Sequence, residues 1–212
     1  MSELATGWAE QAEQRVLDGA VAVAPQAGWR GAYARAVREA GMTVAEAELL
    51  MPGGARDLAA LLSRRHDAGA LEALAATNPS PLKIRDRIRA AVLARLDAAK
   101  ADQEAVRPWA GFLAFPTNLP LALRLVWESS DHLWRWAGDT STDENHYSKR
   151  AILSGILIST LAIDLGQGRE AALTHLNARI DNVMSFEKWK AGFKPADLAK
   201  DVAAALARIR YG

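Results

Sequence analysis

Apolar residues recur along this chain at spacings of three and four, with very few alternating runs, so the pattern predicts helices throughout. The first helix reads from about Thr6 to Ala24 and ends before Gln26, Ala27 and Gly28. A second runs from Trp29 to Ala40 and stops at Gly41, a residue that suits the left-handed position after a helix. Thr43 and Glu46 have the spacing of a capping box, which opens a short third helix ending near Met51. Pro52, Gly53 and Gly54 interrupt the chain, and a longer helix follows from Ala55 to Ala76. After Asn78-Pro79-Ser80-Pro81 a charged helix spans Leu82 to about Ala101, with Ile84, Ile88, Val92 and Leu96 as its apolar stripe. Arg107 to Phe115 forms an aromatic helix ended by Pro116, and Leu119 to Ala137 another. Ser141 and Glu144 repeat the capping-box spacing before the very apolar stretch Ala151 to Leu165. Gly166 and Gly168 end that helix, one more extends from Glu170 to Lys190, and a last one begins at Pro195.

This order predicts an all-α fold: a helix-turn-helix-like N-terminal unit over residues 1–54, a larger helical bundle over 55–190, and an amphipathic helix over 195–212. The stretch Ala151 to Leu165 is shorter than the ~20 residues a bilayer span requires and reads as a helix buried on all sides of a bundle. In the last helix Leu198, Val202, Leu206 and Ile209 form an apolar stripe, with Asp197, Lys200, Asp201 and Arg208 on other faces, the pattern of a helix that lies on a membrane surface and equally of one docked on its own bundle.

Composition narrows the function. The 26 basic and 25 acidic side chains nearly cancel, which speaks against a dedicated nucleic-acid binder. With no cysteine there is no thiolate metal site, disulfide or cysteine nucleophile. The N-terminal residues lack the basic and apolar segments of a signal peptide, which points to the cytoplasm. The helix that would read DNA bases carries Glu46 and Glu48 and no Arg, Lys, Asn or Gln, so it would be repelled by phosphates. Carboxylates and histidines three or four residues apart, as in Glu128 to His132 and Asp143 to His146, echo di-iron bundles. The neighbouring apolar helices offer no bridging carboxylates, so no metal is expected, and no cofactor. His66 and His175 read as lone surface or partly buried histidines, and no catalytic constellation stands out.

An apolar pocket is the remaining chemistry. Trp109, Phe112, Leu113, Phe115, Leu119, Leu123 and Trp127 crowd one helix, a Pro-containing corner and the next helix. The apolar helix beyond offers Ile156 and Thr160 together with the small residues Gly155 and Ser159. Large walls opposite small ones suit a lipid or isoprenoid, although ordinary core packing gives the same pattern.

From Pro116 to Arg150 the chain resembles the Coq-nine family of ubiquinone biosynthesis proteins. The likeness rests on Pro116, Asn118, Pro120, Asp131, Trp134 and the ungapped run Gly138, Asp139, Ser141, Thr142, Asp143, Asn145, Tyr147, Arg150, with weaker agreement at Leu176, Arg179, Ile180 and Met184. The resemblance implies a TetR-like scaffold without operator recognition, commonly a homodimer, and no catalytic activity of its own. It implies a phospholipid or isoprenoid quinone ligand and presentation of a ubiquinone precursor to the demethoxyubiquinone hydroxylase, with peripheral attachment to the inner membrane through the last helix. Trp134, Thr142, Asp143, His146, Tyr147 and Arg150 are then the expected partner surface, with His146 standing where eukaryotic members place a Trp. A ligand-responsive TetR-type transcription regulator is the competing expectation.

Overall fold

The computed structural model describes residues 3–142 and 144–187, giving only the backbone for residues 3–6, 144 and 184–187. Those residues form eight α-helices and one short 3₁₀ turn, with no strand among them, so the fold is all-α. The helices are α1 (Glu3–Glu39), α2 (Val44–Leu50), α3 (Ala55–Ala75), α4 (Ile84–Lys100), α5 (Gln103–Leu113), α6 (Leu119–Trp136), α7 (Glu144–Gln167) and α8 (Arg169–Glu187); the turn is Pro116–Asn118. The expected membrane residues Leu198, Val202, Leu206 and Ile209, and Asp143 of the expected partner surface, lie outside the described residues.

Two compact units are drawn from interleaved segments. Unit 1 takes residues 1–65 and 99–121; unit 2 takes 66–98 and everything from 122 onward. The sequence divides the chain in order, at residues 54 and 55, whereas α3 here contributes its first half to one unit and its second half to the other.

In unit 1 the long α1 doubles back on itself. Gly28 has φ 66° and ψ 165°, a left-handed conformation that glycine adopts without strain. A Cβ on Gly19 would lie 3.4 Å from the Ala36 Cβ, whereas 17 residues of straight helix would separate the two by about 25 Å. The expected break at Gln26 to Gly28 is this reversal, and small residues let the two arms approach closely. The capping box at Thr43 is present: the Glu46 amide donates to Thr43 Oγ1 and the Thr43 amide to Glu46 Oε2. The 3₁₀ turn is held by Asn118, which donates to the Phe112 carbonyl at 2.9 Å and accepts from Arg56 Nε at 2.9 Å. Helix α5 begins earlier than its sequence suggests. The sequence opens it at Arg107, whereas the helix starts at Gln103 and carries Pro108 inside it.

Unit 2 buries Leu74, Ile88, Val92, Leu96, Leu133, Leu153, Ile156, Leu157, Leu176 and Ile180. The stripe expected on α4 is therefore its core face, apart from Ile84, which is 37 % exposed. Inside this unit Arg95 Nε and Ser129 Oγ both donate to Asp67 Oδ1, at 2.6 and 2.7 Å. His66, where α3 enters unit 2, is buried. Helix α7 differs from expectation as well. Over Asn145–Gln167 it is long and apolar enough to cross a membrane by length and composition. It is not covered on all sides: Leu153 to Leu157 and Thr160 are buried, while Ile158, Leu161, Ile163 and Leu165 are only half-buried.

Candidate functional site

The loop between α6 and α7 is organised around one buried cation. Arg150, on the second turn of α7, is 2 % exposed. Its Nε donates to Asp131 Oδ1 at 2.6 Å, and one Nη donates to Asp139 Oδ2 at 2.9 Å and to the His146 carbonyl at 3.1 Å. Asp139 also accepts from Ser141 Oγ at 2.9 Å and from Lys149 Nζ at 2.6 Å. Burial pushes the Asp139 carboxyl up, but the bonds from Lys149, Arg150 and Ser141, with the Lys149 charge, outweigh it and hold the group at about 2. Gly138 precedes this carboxylate with φ 89°, and a Cβ there would come within 3.2 Å of an Arg87 Nη. Arg87 itself donates to the carbonyls of Ser80, Leu82 and Ala137. The Ser141 hydroxyl donates to both carboxylate oxygens of Asp139 at 2.9 Å, ahead of α7, which is described from Glu144.

One side of this lock carries an exposed aromatic group. Tyr147 is 64 % exposed, with its ring centroid 6.2 Å from Trp127 and 5.2 Å from His146. Leu123, one turn before Trp127 on α6, is 46 % exposed, and Thr142 is exposed too. Of the residues expected to meet a partner, Tyr147, His146 and Thr142 thus share the surface. Arg150 does not join them. A guanidinium can be buried only where carboxylates compensate it, and Asp131 and Asp139 do so here. Trp134 is half-buried: its Nε1 donates to the Lys149 carbonyl at 3.0 Å, and Lys149 Nζ lies 5.6 Å from its ring centroid.

The other side of the lock opens into a cleft of about 510 Å³ within unit 2. Its apolar walls are Ile84 and Ile88 of α4, Ile152, Leu153 and Ile156 of α7, and Ile180 and Val183 of α8. Its polar end holds Arg85, Arg87, Asp139, Asn145, Ser148 and Lys149. Among the residues expected to hold a lipid, Ile156 lines this cleft. Trp109, Phe112, Leu113, Phe115 and Leu119 belong to unit 1, and Leu123, Trp127 and Thr160 to unit 2. Trp109 and Leu113 are core residues of unit 1, the indole donating to the Ala59 carbonyl at 3.0 Å. Phe112 lies beneath the Arg30 guanidinium, and Phe115 is 55 % exposed. Thr160 is fully buried, and its hydroxyl finds no hydrogen-bond partner among the described residues.

Sequence reasoning passed over the cleft, although its signal is on α7. Asn145, Ser148, Lys149, Ile152, Leu153 and Ile156 follow helical spacing down one face, which changes from polar to apolar along its length. Among the described residues no group of three His, Cys, Asp or Glu side chains is placed to hold a metal ion.

Residues 119–187, which supply most of the lock and the cleft, match the COQ9 family model. The chain is similar to the COQ9 family. It is 29 % identical over 163 residues to a Xenopus laevis protein named ubiquinone biosynthesis protein COQ9-B, mitochondrial, covering 71 % of this chain and 54 % of that one. A Rattus norvegicus protein named ubiquinone biosynthesis protein COQ9, mitochondrial, is 27 % identical over 186 residues, 83 % of this chain and 60 % of the relative. Human COQ9 is 34 % identical over 76 residues, 34 % of this chain and 24 % of the relative. The chain spans about half the length of the Xenopus relatives it matches. The COQ9 match falls on the segment where the sequence alone carries the resemblance, and the lock gives much of that segment a physical reason: Asp131, Gly138, Asp139, Ser141 and Arg150 are the parts of one buried ion-pair device.

Proposed function

We propose that this chain is a non-catalytic accessory protein of ubiquinone biosynthesis that binds an isoprenoid quinone or phospholipid and presents a ubiquinone precursor to the demethoxyubiquinone hydroxylase at a membrane. The COQ9 relatives support the pathway. The observation that carries the lipid-binding part is the unit 2 cleft: isoleucine-rich along its length, polar at one end, and within the range of about 300–1,000 Å³ usual for small-molecule sites. An amphiphile has the same division. Presentation to the hydroxylase rests on Tyr147, with His146 and Trp127 beside it. An exposed aromatic cluster on a rigidly held helix has the composition of an interaction hot spot. Attachment to the inner membrane from the cytoplasmic side falls to the segment 195–212 in this proposal, and a homodimer on a TetR-like scaffold is part of it.

The test is mass spectrometry of the organic extract of purified protein. An isoprenoid quinone or phospholipid recovered near one equivalent is the expected result. Protein that purifies lipid-free and takes up neither class from detergent solution overturns the reading. Deleting residues 195–212 should abolish co-flotation with liposomes, and unchanged flotation refutes the membrane role of that segment.

A further inference from the structure

The charge at the polar end of the cleft says more than that a lipid is held. Four charged side chains line it, and three are cationic: Arg85, Arg87 and Lys149 against Asp139. Asp139 is the least available of them. Its side chain is 4 % exposed, and Lys149 and the buried Arg150 share its charge. Arg87 gives its hydrogen bonds to three carbonyl oxygens, which orient the guanidinium without neutralising it. Arg85 meets Asp86 only at 4.0 Å, and that carboxylate is already held by Arg89 at 2.7 Å. Lys149 spends one of its three donors on Asp139 and is 33 % exposed. A neutral isoprenoid would leave the excess positive charge of these three side chains unmatched. The apolar walls begin within one turn of them: Ile84 adjoins Arg85, and Ile152 follows Lys149 by three residues.

We propose that the unit 2 cleft selects amphiphiles with an anionic head, the head placed between Arg85 and Lys149 and the chain laid along Ile84, Ile152, Ile156 and Ile180. The inference rests on the lipid-binding reading above and adds a preference that reading does not contain. The shared chemistry is a phosphate or carboxylate on an apolar chain, and the isoprenoid or acyl nature of the chain does not enter.

Calorimetric titration of the full chain with dodecyl phosphate and dodecyl maltoside, each below its micellar concentration, and with inorganic phosphate tests it. Dodecyl phosphate should bind about ten-fold more tightly than the neutral maltoside, as expected of charge-assisted hydrogen bonds from two partly exposed cations. Added salt should narrow that gap by screening. Arg85→Gln, a substitution at a half-exposed site, should remove most of the preference, weakening dodecyl phosphate far more than maltoside. Ile84→Trp, at the cleft wall, should weaken both amphiphiles. Equal affinity for the two amphiphiles overturns the head-group preference while leaving lipid binding intact. Inorganic phosphate binding as tightly as dodecyl phosphate overturns it by showing a bare anion site. An anionic preference that survives Arg85→Gln, or binding that ignores Ile84→Trp, overturns the placement. If neither amphiphile binds, the lipid-binding reading falls with it.

Discussion

Arg150 on α7 donates to Asp131 on α6 across 2.6 Å, and this single bond ties the start of one helix to the body of the one before it. Nineteen residues separate the two in sequence. With the guanidinium 2 % exposed, nothing but Asp131, Asp139 and the His146 carbonyl compensates it among the described residues.

That geometry separates two neighbours by role. Truncating Arg150 to Met removes the cation shared by two carboxylates, which keep Arg135 at 2.8 Å on Asp131 and Lys149 at 2.6 Å on Asp139, so the cost falls at the low end for breaking a buried pair, about 3 kcal/mol. For a chain of this size that lowers the melting temperature by roughly 10 °C. Tyr147→Ala removes a side chain that is 64 % exposed, so stability should change by about 0.5 kcal/mol or less. Under the proposed function it weakens association with the hydroxylase by about an order of magnitude, as loss of a hot-spot residue does. Thermal melts and pull-downs on both variants check the contrast. A melting temperature that falls for Tyr147→Ala and holds for Arg150→Met would invert the assignment.

The Asp139 carboxyl sets an acid limit on stability. Its folded value of about 2 lies below the ordinary 3.8, so the folded state binds this proton less readily than the unfolded chain. The stabilisation is present in full above the unfolded value and disappears as pH falls through the folded one, between about pH 5 and 2. A shift of that size corresponds to about 2 kcal/mol for a side chain as buried as this one. Urea denaturation at pH 7 and at pH 3 should show Asp139→Asn costing the protein more at the higher pH. An equal cost at both pH values counts against the lock.

Duplex DNA should bind weakly and without sequence preference. The α2 surface that would face the bases exposes Glu46 and Glu48 with Val44 and Leu49. The Thr43 backbone and hydroxyl hydrogen bonds hold the Glu46 carboxyl below its ordinary range, so it is charged at neutral pH. Fluorescence anisotropy with labelled random and selected duplexes is the measurement. Nanomolar binding to a selected sequence at physiological salt would favour the transcription regulator instead.

Local chemistry made much of the fold legible. Gly28, Gly41 and Gly54, all with positive φ, stand where helices turn or end, and the Thr43 capping box formed as its spacing predicts. Interleaved assembly was not legible, because helical periodicity says which face of α3 is apolar and not which half joins which unit. The burial of Arg150 escaped for a related reason. Spacing places it near Tyr147, but only the tertiary fold brings Asp131 and Asp139 around it from an earlier helix and a loop. The cleft stayed hidden because its walls come from three helices, and α7 reads as uniformly apolar core until its half-buried face is seen.

Gly138 joins the lock to the cleft, and a single methyl group there tests both. At φ 89° an L-residue lies outside its comfortable backbone range, which costs about 1–2 kcal/mol. The added Cβ of Gly138→Ala would also sit 3.2 Å from an Arg87 Nη, so the guanidinium must shift away from the Ala137 carbonyl it now binds at 2.7 Å. Arg87 lines the cleft, and Asp139 follows Gly138 directly, so the strain reaches the cleft's polar end and the lock together. The expected outcome is a lower melting temperature with a parallel loss of dodecyl phosphate affinity, while maltoside binding falls less. Arg87→Met separates the two contributions. It removes the cation without forcing the backbone, so it should reduce the anionic preference and, unlike Gly138→Ala, leave the acid sensitivity set by Asp139 in place. Should Gly138→Ala match the parent protein in both melting temperature and ligand preference, the loop would absorb the strain without passing it on, and the coupling of lock to cleft would be refuted.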